Sequence, residues 1–226
     1  MKNSNDEELD RELMTSLEWL RPTTKGELRC WWPGDDVPYQ KYHDMEWGVA
    51  VIDDQRLYEK ICLEGFQSGL SWLTILRKRE NFRAAFTNFD MDAVARFTEK
   101  DINRLMNDAG IVRHRGKIEA TINNASRALE LIEETGSLAR HIWSFASSNE
   151  FGRDGISSHP SGLATTSPAA IALSQDLKKR GWKYVGPTTM YSFMQSMGMI
   201  NDHLSDCFVH DNCEKKRLIA LKKMTR

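Results

Sequence analysis

Apolar residues recur at three- and four-residue spacing along most of this chain, which predicts a helical protein. No convincing period-two alternation accompanies them, so no strand is expected. Leu9, Leu13, Leu17 and Leu20 share one side of an acidic amphipathic opening helix, followed by a turn over residues 22–26. Asp53 can cap a helix carrying Leu57, Ile61 and Leu63, running to Gly65 or Gly69, and a further helix is expected over 71–83. Glu64 and Trp72 therefore bracket a helix-to-helix junction. Thr98 followed by Asp101 reads as a capping-box variant, starting a helix with Ile102, Leu105 and Met106 inward and Gly110 as its left-handed stop. After a short link, Gly116 opens a long helix on which Ile118, Ile122, Ala125, Leu129 and Ile132 share a face. Together they predict a helix, a tight hairpin and a helix. The Gly/Ser/Thr-rich stretch 147–167 predicts a loop, and Ser167 with Pro168 forms a cap and first-turn pair for a helix ending at Gly181. Further elements are expected over 187–199 and around 202–208, before a basic tail, 211–226, that frays.

At 226 residues the chain has the length of one domain or two small lobes, and needs no disulfides to hold a core. Its four cysteines are irregularly spaced, with no C-x-x-C pair, so they predict metal ligation or simple burial. No apolar run approaches membrane-spanning length and no secretory h-region opens the chain, so a cytoplasmic protein without a membrane partner is expected. The formal charge of -1 argues against a nucleic-acid partner only until the acidic start is set aside. The remaining bases cluster at Arg77, Lys78, Arg79 and Arg83, at Arg113, Arg115 and Lys117, and at Lys178, Lys179, Arg180 and Lys183. Phosphates respond to local patches rather than to net charge.

Three groups of residues carry candidate chemistry. Cys30 and His43 near one end, with His203 and Cys207 near the other, offer two sulfurs and two imidazoles, a closed tetrahedral set suited to structural zinc. His203 and Cys207 are four apart and would meet on one helical turn. His210 and Cys213 are rival ligands, and burial of the cysteines as small hydrophobes is the plain alternative. Second, Trp31, Trp32, Tyr39, Tyr42, Trp47 and Trp72 surround Glu46 and Glu64 in the sequence. Rings beside a carboxylate suit a flat cation, although a hydrophobic core with two surface acids gives the same pattern. Glu64 lies in an otherwise apolar run, where a buried carboxylate needs a partner. Third, the segment 108–118 presents backbone N–H groups at a helix start with three bases within five residues, which suits a phosphate or a solvated basic turn.

With these residues in view, the chain resembles the 3-methyladenine DNA glycosylase I (Tag) family of the helix-hairpin-helix glycosylase superfamily over about residues 28–210. The resemblance rests on Arg29-Cys30-x-Trp32, on Tyr39-x-x-Tyr42-His43-Asp44-x-Glu46-Trp47-Gly48, and on Ile61-Cys62-Leu63-Glu64-Gly65-x-Gln67-x-Gly69-Leu70-Ser71-Trp72. It continues through Lys78-Arg79-Glu80-Asn81, Ala109-Gly110-Ile111-x-Arg113-His114-Arg115-Gly116-Lys117-Ile118 and Leu177-Lys178-Lys179-Arg180-Gly181. It closes with Tyr191-Ser192-Phe193-Met194-Gln195 and Asn201-Asp202-His203-x-x-x-Cys207.

This resemblance implies an all-α, two-lobed helix-hairpin-helix glycosylase fold, with one structural Zn2+ at Cys30, His43, His203 and Cys207 joining the terminal segments. It implies excision of 3-methyladenine from alkylated double-stranded DNA, with the free base as product, by a monomeric, monofunctional enzyme that lacks a lysine nucleophile. Glu64 matches the base-recognising catalytic carboxylate, Tyr42, Trp72 and Trp32 match pocket aromatics, and Trp47 lies nearby. Gly69 and Leu70 match the loop that approaches the gap left by a flipped nucleotide. Gly110, Arg113, His114, Arg115, Gly116 and Lys117 match the DNA-gripping hairpin. The expected organisation is an acidic extension over 1–27, the glycosylase domain over 28–210 and the basic tail. Two alternatives are carried: a paralogue excising another alkylated purine, and a non-catalytic zinc-stabilised DNA-binding module.

Overall fold

A computed structural model describes residues 19–146 and 165–224. The predicted opening helix over Leu9, Leu13 and Leu17, and most of the predicted 147–167 loop, lie outside the described residues. Ten α-helices dominate the rest: α1 (Val37–Met45), α2 (Asp54–Gln67), α3 (Trp72–Ala85), α4 (Met91–Ala95), α5 (Glu99–Met106), α6 (Arg115–Thr135), α7 (Leu138–Trp143), α8 (Pro168–Lys179), α9 (Pro187–Ser196) and α10 (His210–Met224). None is long and apolar enough to cross a membrane.

The predicted caps hold. Asp53, Ser71 and Ser167 each accept a backbone N–H three residues on, opening α2, α3 and α8. The Thr98 N–H donates to Asp101 at 2.9 Å at the start of α5. On α6 the buried stripe runs through Ile118, Thr121, Asn124, Ala125, Ala128 and Leu131, so Ile122 and Ile132 flank it instead of centring it. This long helix packs against α2, α4, α5 and α7, while α9 packs against α2 and α8. The Tyr58 hydroxyl donates to the Thr121 carbonyl at 2.8 Å, tying α2 to α6.

Four expectations give way. Leu20 belongs not to a helix but to β1 (Leu20–Pro22), which pairs antiparallel with β2 (Leu28–Cys30) and puts Leu20 opposite Cys30. Three-residue strands are too short to display alternation. Gly110 is not left-handed, because α5 already ends at Met106. A side chain at Gly110 would instead collide with Asp108 and Asn81, and its N–H donates to the Asp108 carboxylate at 2.7 Å. The 202–208 segment forms turns without a helix, held by Cys207 N–H to Leu204 O and His210 N–H to Cys207 O. The basic end does not fray but forms α10, which buries Cys213, Arg217, Ala220 and Leu221.

Beside the main core lies a small satellite cluster of Leu20, Cys30, Leu204, Cys207, Val209 and Cys213. It is where the β hairpin meets the segment leading into α10.

Candidate active site

Helix α1 serves two sites at once. Asp36 caps it by accepting the Tyr39 N–H at 2.9 Å, and Pro38 pre-sets its first turn. Tyr42 and His43, consecutive and both buried, then diverge by the ~100° step of a helix. Tyr42 faces an aromatic pocket and His43 a sulfur cluster.

The pocket has a volume of about 230 Å³ and is lined by Trp31, Trp32, Tyr39, Tyr42, Trp47, Glu64, Gln67, Trp72, Ser192 and Gln195. All five predicted pocket residues meet there. Trp32 stands edge-on to Tyr39, Tyr42 and Trp47 at centroid distances of 4.9, 6.5 and 5.1 Å, and Tyr42 tilts against Trp72 at 5.4 Å. Glu64 projects from α2 among them and is 5% exposed. Burial and the Glu64 charge drive the Tyr42 phenol well above its ordinary range, so it remains a neutral donor. The buried indole N–H of Trp72 has no partner among the described residues.

Lys60, which the sequence reading passed over, is also here. Its Nζ lies 2.9 Å from Glu64 Oε1 and donates to the Tyr42 hydroxyl at 2.9 Å. The signal was in the chain: Lys60 and Glu64 are four apart inside one helix. Gln67, Ser192 and Gln195 also line the pocket without having been singled out by the sequence, while Trp31 and Tyr39 join it as members of the expected aromatic cluster.

On the other side of α1, Cys30 Sγ lies 3.9 Å from His203 Nδ1, and Cys207 Sγ lies 3.6 Å from His43 Nε2 and 3.8 Å from His203 Nδ1. All four residues are buried and their donor atoms lie within 4.8 Å of one another, so the cluster could hold one metal ion. The outward ring nitrogens are held as well: His43 Nδ1 by Asp44 at 2.8 Å, and His203 Nε2 by the Trp47 carbonyl at 3.0 Å. Burial lowers His203, favouring the neutral imidazole that ligation needs. The Cys30–Cys207 hydrogen bond holds Cys207 far down and, with burial, pushes Cys30 up. Gly48 is required here, since a side chain would strike the His203 ring at 2.7 Å. Of the rival ligands, Cys213 is buried in the satellite cluster and His210 pairs with Asp211.

The 110–117 hairpin is less uniform than its sequence. Arg113 and His114 are exposed, and His114 caps α6 by accepting the Lys117 N–H at 3.2 Å. Arg115 is already paired with Glu99 at 2.7 Å and Glu119 at 2.7 Å. Lys117 is not a surface cation: it turns inward, donating to the carbonyls of Phe66 at 2.8 Å and Ser68 at 2.6 Å. Those acceptors end α2, where the helix carbonyls need donors. Gly69 follows with a left-handed φ of +80°, and Leu70 stands 42% exposed at the junction.

Residues 32–210 match the family model described as methyladenine glycosylase. The chain belongs to the methyladenine glycosylase family. It is 48% identical over 179 residues to DNA-3-methyladenine glycosylase 1 of Escherichia coli (strain K12), covering 79% of this chain and 95% of that one. It is 45% identical over 181 residues to the DNA-3-methyladenine glycosylase of Haemophilus influenzae, covering 79% and 96%. Among solved structures, a 3-methyladenine DNA glycosylase I in complex with 3-methyladenine superposes with a TM-score of 0.76 at 37% identity, covering 80% of this chain and 97% of the other. The family's mostly helical architecture is the one described above.

Proposed function

We propose that this methyladenine glycosylase excises 3-methyladenine from alkylated double-stranded DNA by hydrolysis, acting as a monofunctional, monomeric cytoplasmic enzyme. What carries the proposal is the pocket: six rings, from α1, α3 and the turns flanking α1, around one buried carboxylate, Glu64. An adenine methylated at N3 is cationic in DNA. Ring faces and a carboxylate favour it over neutral adenine.

Trp32, Tyr42, Trp47 and Trp72 would enclose the extruded base, with Glu64 accepting a hydrogen bond from it and stabilising the positive charge that shifts to the sugar as the bond breaks. Water oxygen bonds to the anomeric carbon, the N-glycosidic bond breaks, and its electron pair neutralises the departing base while the water loses a proton. Leu70 would enter the gap left in the stack, supported from beneath by Lys117. Gly110, Arg113, His114 and Gly116 would meet the phosphates, joined by Arg115 where a phosphate replaces Glu99.

Cys30, His43, His203 and Cys207 would hold one zinc ion. A tetrahedron with Zn–S of about 2.3 Å and Zn–N of about 2.0 Å has S···N edges of about 3.5 Å, within a few tenths of an ångström of the 3.6, 3.8 and 3.9 Å found here. Four protein ligands leave no position for water, so the ion would be structural, clipping the β hairpin to the segment before α10.

The test is incubation of the purified chain with methylated duplex DNA and chromatography of the released bases. Free 3-methyladenine with intact, alkali-labile strands is expected. A folded, zinc-loaded protein that releases another alkylated purine, or none, would overturn the proposal in favour of a paralogue or a binding module respectively.

A further inference from the structure

Lys60 makes the contacts that a cationic base would need. Its ammonium is 2.9 Å from Glu64 Oε1, 3.2 Å from the ring centroid of Trp72 and 5.2 Å from that of Tyr42, and the residue is 5% exposed. A carboxylate and an aromatic face are the two features that select a flat cation, and here one side chain of the same helix takes both. We propose that Lys60 is a specificity-determining residue, a built-in occupant of the cation site that competes with the cationic base for Glu64 and the face of Trp72. This rests on the reading that the damaged base enters this pocket.

Two cations cannot share one carboxylate and one ring face without like-charge repulsion in a site of low dielectric. With Lys60 charged, Glu64 is neutralised and the pocket loses most of its advantage for a cation over a neutral base. Entry then requires the ammonium to withdraw or to lose its proton. Withdrawal has somewhere to go: a cavity of about 30 Å³ adjoins Lys60, lined also by Glu46, Glu59 and Met197. Its acids are held by Arg79 at 2.5 Å and Arg83 at 2.8 Å and Arg56 lines it as well, so a retracting ammonium meets surplus positive charge and withdrawal is the costlier route.

Proton loss is also within reach. Burial lowers Lys60 to about 8, with Glu64 and Glu46 opposing and Arg79 assisting. The groups facing it are Tyr42 on α1 and Glu46 just past its end, Arg79 and Arg83 on α3, and Arg56, Glu59 and Glu64 on its own helix, while Ser192, Gln195 and Met197 bring no charge from the α9 side. Tyr42 and Arg79 are shifted up and Glu46 down, away from the slightly alkaline range. As pH rises through that range Lys60 becomes neutral, Glu64 is left unopposed, and the pocket gains cation affinity.

The test uses N-methylquinolinium, a flat permanent cation, titrated against the full chain and read by tryptophan quenching. The wild-type protein is expected to bind it about tenfold more tightly at pH about 9.5 than at pH about 6.5. Lys60→Met should bind it tightly at both. Equal affinity at the two pH values in wild type, or no gain in Lys60→Met, overturns the proposal; if that variant fails to fold, the wild-type comparison decides. In a second arm, Lys60→Met should lower KM for 3-methyladenine release at neutral pH more than it changes kcat. If quinolinium behaves as expected but neither protein releases 3-methyladenine, the role of Lys60 stands and the proposed function falls. If both release it with equal KM and quinolinium ignores Lys60, the role of Lys60 falls alone.

Discussion

His43 Nδ1 lies 2.8 Å from the carboxylate of Asp44, its neighbour in sequence, and Arg29 clamps that carboxylate through two hydrogen bonds of 2.6 Å. The clamp turns His43 so that Nε2 faces Cys207, and Arg29 holds the Asp44 carboxyl below its ordinary range against the opposing effect of burial. An anionic carboxylate behind a ligating imidazole raises its basicity and fixes its ring. Asp44→Ala should therefore weaken zinc retention about 10–100-fold, measured by competition with a chromophoric chelator. Unchanged retention would mean that His43 is oriented by packing alone.

Removing the ion should act on the fold before the pocket. Cys207→Ala, or exhaustive chelation of the wild type, is expected to release about one zinc per chain and to cost at least ~3 kcal/mol of stability, the scale of a lost cross-link between distant segments. Base selectivity among the protein that remains folded should change little, because the pocket side of α1 is anchored separately by the Tyr42 contacts with Lys60 and Trp72. Chemical denaturation followed by elemental analysis reads both effects. A metal-free protein of full stability and activity would remove the structural role.

The helices that α2, α3, α5 and α8 form were legible because Asp53, Ser71, Thr98 and Ser167 announce their starts, and such capping is local chemistry. The pocket and the sulfur cluster were legible through residue type, since buried carboxylate, ring, thiol and imidazole each limit what surrounds them. Direction was not legible. Lys117 and Arg113 are both cations of one hairpin, yet one, on the first turn of α6, caps α2 from inside, while the other, in the link before that helix, faces solvent. The pairing of Lys60 with Glu64 follows from their four-residue spacing, but its meaning depends on Trp72, twelve residues away, whose ring lies under the ammonium only in the folded chain.

Glu64→Gln keeps the shape of the pocket and removes its charge. DNA binding should persist, while single-turnover release of 3-methyladenine should slow by about 100-fold, the order seen when one preorganised electrostatic group is lost. Lys60 would then stand in the pocket without its counter-charge, so discrimination between 3-methyladenine and adenine should also shrink. Rapid-quench kinetics on a single methylated site measure the rate, and a competition assay measures the discrimination. An unchanged release rate would show that the carboxylate does not act on the base.

Lys117 and Arg113 should separate in their response to salt. Lys117→Met leaves the carbonyls of Phe66 and Ser68 without their donor, which costs about 1–3 kcal/mol of stability, and it loosens Gly69 and Leu70 at the end of α2. The slope of log affinity for duplex DNA against log salt should stay the same, because no phosphate contact is removed. Arg113→Ala should do the reverse, leaving stability nearly unchanged and reducing that slope by about one. Fluorescence anisotropy across a salt series, paired with thermal melts, distinguishes the two. A lowered slope for Lys117→Met would mean that this lysine turns outward to the phosphates when DNA binds.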